Sequence, residues 1–442
     1  MTRTFSYLLC GGLAAASLAS AAPAPDPAVY TLPECVRLGL RQAASVRNAR
    51  RDEDIAGARL RQVVGQVLPQ LSVNADYTRF DETPSMTFDG ERVDMGRADN
   101  YSASAGLSQL LYRGGWVRAA LKGAFSYRDL TRFSTEQSEN ELVRDIRAGF
   151  ANVLLTEAAV RVQADSVAQL SNLVAQAESK YRQQTASEFD LLTARVRLAN
   201  ELPNLIRSRK NVQLARAAFR NLVQLEAADY VLSGDLEHHP VDGRLEEWQQ
   251  KALAGRPELA QQKKRIELWE ADLRAEKGGA LPEVRAHAAY EGLNPESGSA
   301  EDAWDWGWNA GISLTWSLYD GGQRRATILQ KALEAAKARE TLADLERAVA
   351  LEVEQQYLEM AQAEETIAAG RETVALAEKG LDIARTRYEN GLATYLEFTD
   401  ANLALSTARL TWLAALHEHM NARARLECAA GLGAESLQGE QP

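Results

Sequence analysis

The fold is decided by Trp304-Asp305-Trp306-Gly307-Trp308-Asn309-Ala310-Gly311-Ile312-Ser313-Leu314-Thr315-Trp316-Ser317-Leu318-Tyr319-Asp320-Gly321-Gly322. Successive side chains of an extended chain point to opposite faces. Trp306, Trp308, Ala310, Ile312, Leu314, Trp316 and Leu318 therefore share one face, and Gly307, Asn309, Gly311, Ser313, Thr315 and Ser317 share the other. One apolar, aromatic face backed by a small, polar one is the pattern of a strand in a lipid-embedded barrel. Trp304, Trp306, Trp308 and Trp316 suit a membrane–water boundary, where an indole keeps its ring in hydrocarbon and its N–H near water. A sugar-stacking platform would need more assumptions.

Three further segments alternate in the same way. Leu71, Val73, Ala75 and Tyr77 interleave with Ser72, Asn74, Asp76 and Thr78, and Val284, Ala286, Ala288 and Tyr290 with Arg285, His287 and Glu291. Tyr101, Ala103, Ala105, Leu107 and Leu111 form the fourth, with Gln109 interrupting the apolar face. A soluble β-sandwich alternates too. Four such strands, aromatic at their ends and joined by acidic loops (Asp81–Asp99, Glu296–Asp302), favour the membrane reading. The expected strands are 69–80, 101–113, 281–291 and 305–319.

The corner after the deciding strand occurs twice. Tyr112-Arg113-Gly114-Gly115 recurs as Tyr319-Asp320-Gly321-Gly322, an offset of 207 residues. The offset persists without a gap. It carries Phe150 to Tyr357, Tyr181 to Tyr388, Asp190 to Glu397 and Thr193-Ala194 to Asp400-Ala401. Leu68-Pro69 has its counterpart in Leu281-Pro282. The chain is a duplicated unit, expected to divide into a first repeat at 22–225, a linker at 226–255 and a second repeat at 256–442. The paired glycines read as corners where strand becomes helix, not as phosphate loops, because no nucleotide-fold phasing follows them.

Each unit contains a very long helix. Prolines are absent from Ser85 to Leu202 and from Glu296 to Gln441, so nothing forces a break. The inward stripe of the second unit runs from Leu342 through Val349, Val353, Met360, Ile367 and Leu381 to Tyr388, at about 3.5 residues per step. Trp116 to Arg182 would span roughly 100 Å at ~1.5 Å per residue. The first hairpin should turn at Gln183–Ser187 and return with a kink at Pro203; the second should turn at Asn390–Thr394.

Composition sets the limits. In 442 residues, 50 Lys and Arg against 61 Asp and Glu leave a charge of −11, which argues against a nucleic-acid partner. Three scattered cysteines exclude a zinc ribbon or disulfide scaffold. Met1–Arg3, apolar Phe5–Leu18 and Ala19-Ser20-Ala21 read as a signal peptide cleaved after residue 21. No later run is apolar and long enough for a transmembrane helix, so any span must be β. Four strands cannot close a barrel alone, since open edges leave backbone groups unsatisfied in lipid. Two copies would give eight strands and a filled interior; three would give twelve and room for a pore. The small, polar inner face (Ser72, Asn74, Gly307, Gly311, Ser313) favours three.

The mature chain resembles the TolC family of outer-membrane export ducts. The resemblance rests on Leu32-Pro33-Glu34, Arg256-Pro257-Glu258-Leu259, Leu281-Pro282, Leu318-Tyr319-Asp320-Gly321-Gly322, and Arg387-Tyr388-Glu389-Asn390-Gly391 followed by Thr394 and Asp400-Ala401. It implies an α+β membrane protein: a homotrimer whose 12-stranded barrel in outer-membrane lipid continues as a periplasmic helical coiled-coil tube girdled near residues 226–255. It also implies a passive duct without cofactor, fed by an inner-membrane pump and docked by a periplasmic adaptor at the tips Gln183, Gln184, Thr185, Asn390, Gly391 and Leu392.

Glu397 and Asp400, at i and i+3, share one helix face just past the second turn. By themselves they read equally as a solvated acidic face near a helix N-terminus, where negative charge is favoured. The resemblance makes them the acidic pore aperture, six carboxylates in a trimer, that would attract cations. It also makes Tyr388 and Asp190 gate links between neighbouring hairpins. The sequence departs from the family at Ala393, where some relatives carry a basic residue, and at Gln184, often glycine, which implies a thinner closing network. The family brings Cys35 and Cys428 together at the equator, where an oxidising periplasm would permit a disulfide.

No metal is expected. His238-His239 are adjacent and His417/His419 are i,i+2, so neither pair shares a face. His287 reads as a polar filler of the lumen. No nucleophile–base cluster points to an enzyme. Two alternatives stay open: a standing porin, for which the tip carboxylates would be superfluous, and an exported coiled-coil scaffold with a soluble β-domain.

Overall fold

A computed structural model describes residues 28–433 apart from 83–84, 89, 95–97, 228, 239, 241–242 and 294–303. The signal peptide, the Glu296–Asp302 loop and the C-terminal tail from residue 434 lie outside the described residues. In chain order the elements are β1 (Ala28–Thr31), α1 (Leu32–Gln42), α2 (Ala44–Gly65), β2 (Gln70–Arg79), β3 (Ser85–Phe88), β4 (Glu91–Asp94), β5 (Asp99–Arg113), α3 (Trp116–Arg182) and α4 (Glu188–Val223). They continue with β6 (Tyr230–Ser233), α5 (Leu245–Gly255), α6 (Pro257–Gly278), β7 (Glu283–Leu293), β8 (Asp305–Thr315), α7 (Gln323–Glu389) and α8 (Tyr395–Ala429). The order helix, strand, strand, long helix, return helix occurs twice, and both long helices have 67 residues.

Each long helix starts where two left-handed glycines turn the chain: Gly114 and Gly115 at φ 51° and 78°, Gly321 and Gly322 at 67° and 87°. Only glycine adopts these angles cheaply. At Gly114 a second constraint applies, because a Cβ there would stand 1.9 Å from the Gly278 carbonyl oxygen. Asp320 caps the second corner, its carboxylate accepting from the Gly322 and Arg324 amides at 3.1 and 3.3 Å. In the stripe along α7, Val349, Val353, Met360, Ala363, Ile367 and Leu381 are buried. The helix α4 continues unbroken through Pro203.

The four long strands form one antiparallel sheet in the order β2-β5-β7-β8. Opposed residues in such a ladder share a face. The register sets Val73 opposite Ala105, Ala105 opposite Tyr290, and Tyr290 opposite Trp308, all apolar. One step along, Asn74, Ser104, Glu291 and Gly307 align on the other face. The apolar side is bare, with Val73 77% and Trp308 79% exposed, far beyond what a soluble sandwich leaves unpaired. The strand expected to reach residue 319 stops at Thr315. Trp316 turns out of the ladder there, its indole N–H donating to the Ala280 carbonyl at 3.1 Å. Gln109, the break in the apolar face, donates to the carbonyls of Val67 and Leu110 at 2.6 and 2.9 Å and so closes the strand-to-helix junction. His287 packs over Gly311 on the polar face.

Midway along the helices lies a girdle. β1 pairs in parallel with β6, and its sheet covers a core of Cys35, Val36, Ile146, Phe150, Val153, Phe219 and Val223. A sister core in the second unit joins Trp248, Leu259, Val349, Val353 and Leu426. The two cores are bolted together by a buried ion pair: the Glu427 carboxylate accepts from Arg147 of α3 and, at 2.8 Å, from Arg423. Burial alone would push the Glu427 carboxyl up, but the two guanidinium groups hold it below the usual carboxylate range.

The disulfide between Cys35 and Cys428 is not formed. Both are free thiols. Cys35 is consumed in the first core, whereas Cys428 points its Sγ at the Asn140 carbonyl, 3.8 Å away. Burial pushes their pKa values up to about 12 and 11, so neither is a ready thiolate.

Candidate functional site

The tips of the two hairpins are built alike. Each long helix ends in a Schellman motif. Thr185 donates its amide to Lys180 at 2.9 Å and Gln184 to Tyr181 at 2.9 Å; Leu392 donates to Arg387 at 2.8 Å and Gly391 to Tyr388 at 3.1 Å. The motif requires a left-handed residue. The second tip supplies Gly391 at φ 72°, whereas the first forces Gln184 to 62°. Gln183 and Asn390 are the two C-caps, and Asn390 adds a side-chain bond to the Thr386 carbonyl at 2.7 Å. Leu392 projects with 69% exposure.

Both return helices open with a capping box. The Asp190 carboxylate accepts from the Ser187 hydroxyl at 2.7 Å, and the Asp190 amide donates back at 3.1 Å. Glu397 repeats this with Thr394 at 3.2 and 3.3 Å. The duplicated acids thus have a structural task that sequence reading treated only as a general dipole preference. Glu397 remains half exposed, 4.0 Å from Arg387. Asp400 is exposed and lines an apolar groove between α7 and α8 with Gly370, Thr373, Leu403 and Thr407.

Tyr388 and Asp190 are brought near one another but do not bond within the chain. Burial raises the Tyr388 hydroxyl first, and the Asp190 charge adds to it. Asp190 spends its carboxylate on Ser187 instead. The link inside one chain is Lys180, unnoticed in the sequence, whose ammonium sits 4.2 Å from the Tyr388 ring centroid. Its repeat partner is Arg387, at the offset of 207, so the duplication itself was the available signal. Leu173, Ala177, Leu191, Ala194, Leu381, Tyr395, Phe398 and Leu405 form the dry core that holds both tips together.

At the opposite end the strands carry aromatics. Tyr290 stacks on Trp306 with centroids 5.2 Å apart, and Trp304 on Trp306 at 5.7 Å. Ten residues separate this cluster from Trp316. At ~3.4 Å per residue, and at the tilt of about 40° usual in outer-membrane barrels, ten residues would rise roughly 26 Å, the height of their apolar band.

A sheet with one bare apolar face, continued by two helical hairpins of about 100 Å with acidic tips, is the build of a membrane-duct protein. The chain belongs to the outer membrane efflux protein family, whose model matches residues 36–223 and 248–432, one stretch in each unit. It is 24% identical over 414 residues to Outer membrane protein TolC of Escherichia coli (strain K12), covering 87% of this chain and 79% of that one. Among solved structures, the Campylobacter jejuni CmeC outer membrane channel superposes with a TM-score of 0.79 at 14% identity, covering 92% of this chain and 89% of that one. The open-state MtrE outer membrane channel of Neisseria gonorrhoeae gives 0.75 at 16%, covering 91% and 89%. The protein is an outer-membrane efflux channel of a Gram-negative bacterium, the exit duct of an efflux pump, and not an enzyme.

Proposed function

We propose that three copies of this chain pool their sheets into a 12-stranded barrel and their hairpins into one periplasmic tube. In this reading the tube passively conducts cargo delivered by an inner-membrane pump, in a tripartite efflux or type I secretion assembly. The supporting observation is that the chain is incomplete by itself. β2 and β8 are open edges of a sheet whose apolar face is bare, and lipid tolerates no unpaired edge. The helices agree: Phe189, Leu192, Val196 and Ile206 leave large apolar side chains exposed along α4, as Leu376 and Ile383 do on α7. A neighbouring copy would cover these stripes. Residues 22–225 and 256–442 then act as two near-equivalent staves of the tube, with 226–255 in the girdle.

At the tips, Glu397 and Asp400 of three copies form the acidic constriction, and Tyr388 and Asp190 meet across neighbouring hairpins in the closed tube. Gln183, Gln184, Thr185, Asn390, Gly391 and Leu392 present the surface to a periplasmic adaptor. The test is single-channel conductance in planar bilayers for wild type and Glu397→Gln/Asp400→Asn. Glutamine keeps the capping box, so the helix start is preserved while the charge is removed. The wild type should be cation-selective and the variant clearly less so. A wide, open wild-type conductance indifferent to both substitutions would remove the aperture from Glu397 and Asp400 and favour a standing porin.

A further inference from the structure

Within its own segment, neither histidine pair shares a face. The structure takes one histidine from each. His238, on the strand of chain leaving β6, meets His419 of α8 and Glu364 of α7, and one ligand atom from each lies within 4.8 Å of the others. The imidazole rings stand 4.7 Å apart at 63°, and His419 Nε2 is 3.6 Å from the nearer Glu364 oxygen.

His419 is the second observation. It is 1% exposed, yet neither ring nitrogen has a hydrogen-bond partner. A buried polar group left unsatisfied costs about 1–3 kcal/mol, so such groups call for an explanation. The ring also lines a cavity of about 650 Å³ with Ser233, Asp235, Glu237 and Arg423. A simple histidine–carboxylate hydrogen bond is not the answer at 3.6 Å.

We propose that His238, Glu364 and His419 bind a divalent transition metal of the zinc class. Two imidazoles and one carboxylate are the donor set such ions prefer, whereas magnesium and calcium select oxygen alone. Ligand atoms around a tetrahedral zinc stand roughly 3.3–3.5 Å apart when each is about 2.0–2.1 Å from the ion. The Glu364–His419 pair, at 3.6 Å, already has nearly that spacing, and His238, whose ligand atom lies within 4.8 Å of the other two, needs to close by at most about 1.5 Å. Three protein ligands leave a fourth position for water, and the cavity beside His419 could supply it. Because the three ligands come from three elements, the ion clamps the girdle segment after β6 onto the second hairpin. It is a fastening in the wall of the duct, independent of what the duct carries.

The test uses full-length protein without a polyhistidine tag, folded in detergent, stripped with chelator and titrated with Co²⁺ and Zn²⁺. One ion per chain should bind, with Co²⁺ giving the intense visible band of four-coordinate cobalt and Zn²⁺ displacing it. His238→Ala, on the exposed ligand, should weaken binding by roughly 100-fold or more, and Glu364→Gln should do likewise. His417→Ala, whose ring is hydrogen-bonded to Asn421, should bind as wild type. Zn²⁺ should also slow hydrogen exchange in residues 234–238 of the wild type but not of His238→Ala. Absence of stoichiometric binding to folded wild type would overturn the proposal, as would binding that survives both His238→Ala and Glu364→Gln.

Discussion

Replacing Glu427 by alanine should loosen the girdle more than any other single change of charge. The carboxylate is 8% exposed and serves two arginines, one of them, Arg147, only 11% exposed. Deleting it takes this carboxylate away from the buried Arg147 guanidinium, and breaking an interior pair costs about 3–5 kcal/mol. At ~1.4 kcal/mol per decade this is roughly two to three and a half orders of magnitude in the local opening equilibrium. Hydrogen exchange followed by mass spectrometry should show that acceleration in α3 around residues 142–154 and in the last turns of α8, and not at the tips. Arg147→Met/Glu427→Leu should recover most of the protection, because an apolar pair of similar volume needs no desolvated charge, and Arg423, 27% exposed, can turn to water. The pH dependence has a definite sign. Glu427 is held below its ordinary value of 4.5, so its contribution is complete above that value and lost as the pH falls through the folded-state value. Glu427→Gln should lack that component. Exchange in Glu427→Ala within about fivefold of wild type, or a double variant no better protected than the single, would refute the reasoning.

Two further changes test local geometry. Gln184→Gly removes a left-handed non-glycine residue costing about 1–2 kcal/mol, partly offset by glycine's greater unfolded-state freedom; the first tip should gain roughly 0.5–1 kcal/mol of protection in hydrogen exchange, with the second tip unchanged. Ile312→Arg, at 71% exposure on the apolar face, should destabilise barrel insertion by about 2–4 kcal/mol if it faces mid-bilayer lipid. Folding into lipid vesicles under urea would read that loss, and an unchanged midpoint would place this face elsewhere.

The long helices and four strands were legible because each left a regular period uninterrupted by proline, and because the same pattern was written twice. Residues 116–182 needed only the glycine corner and the tip turn to be bounded. What stayed hidden depends on distant partners. Nothing in Ala28–Thr31 announces a parallel strand, since its mate is Tyr230–Ser233. The Cys35–Cys428 pairing came from a family likeness of chain ends, and the ends do meet at the girdle, but in different packing environments. The meeting of His238, Glu364 and His419 was hidden for a related reason. Spacing along the chain reports on faces within one element and is silent on what three elements bring to one point. At the tips, the type of residue at positions 190 and 397 was readable, whereas its sharing with Ser187 and Thr394 emerged from coordinates.

The β1–β6 pair also dictates an order of events during biogenesis. About 200 residues separate the two strands, and 280 separate Arg147 from Glu427. A chain crossing the inner membrane with its N-terminus leading offers β1 to the periplasm long before either partner arrives. Contacts this remote form late, because loop closure must be completed before they contribute. In the interval Ala28–Thr31 is an unpaired edge beside an uncovered core, the condition in which nascent chains aggregate or recruit holdase chaperones. The girdle is therefore a late part of the chain to set, and the contacts within each helical hairpin, nearer in sequence, can form before the ring that binds them.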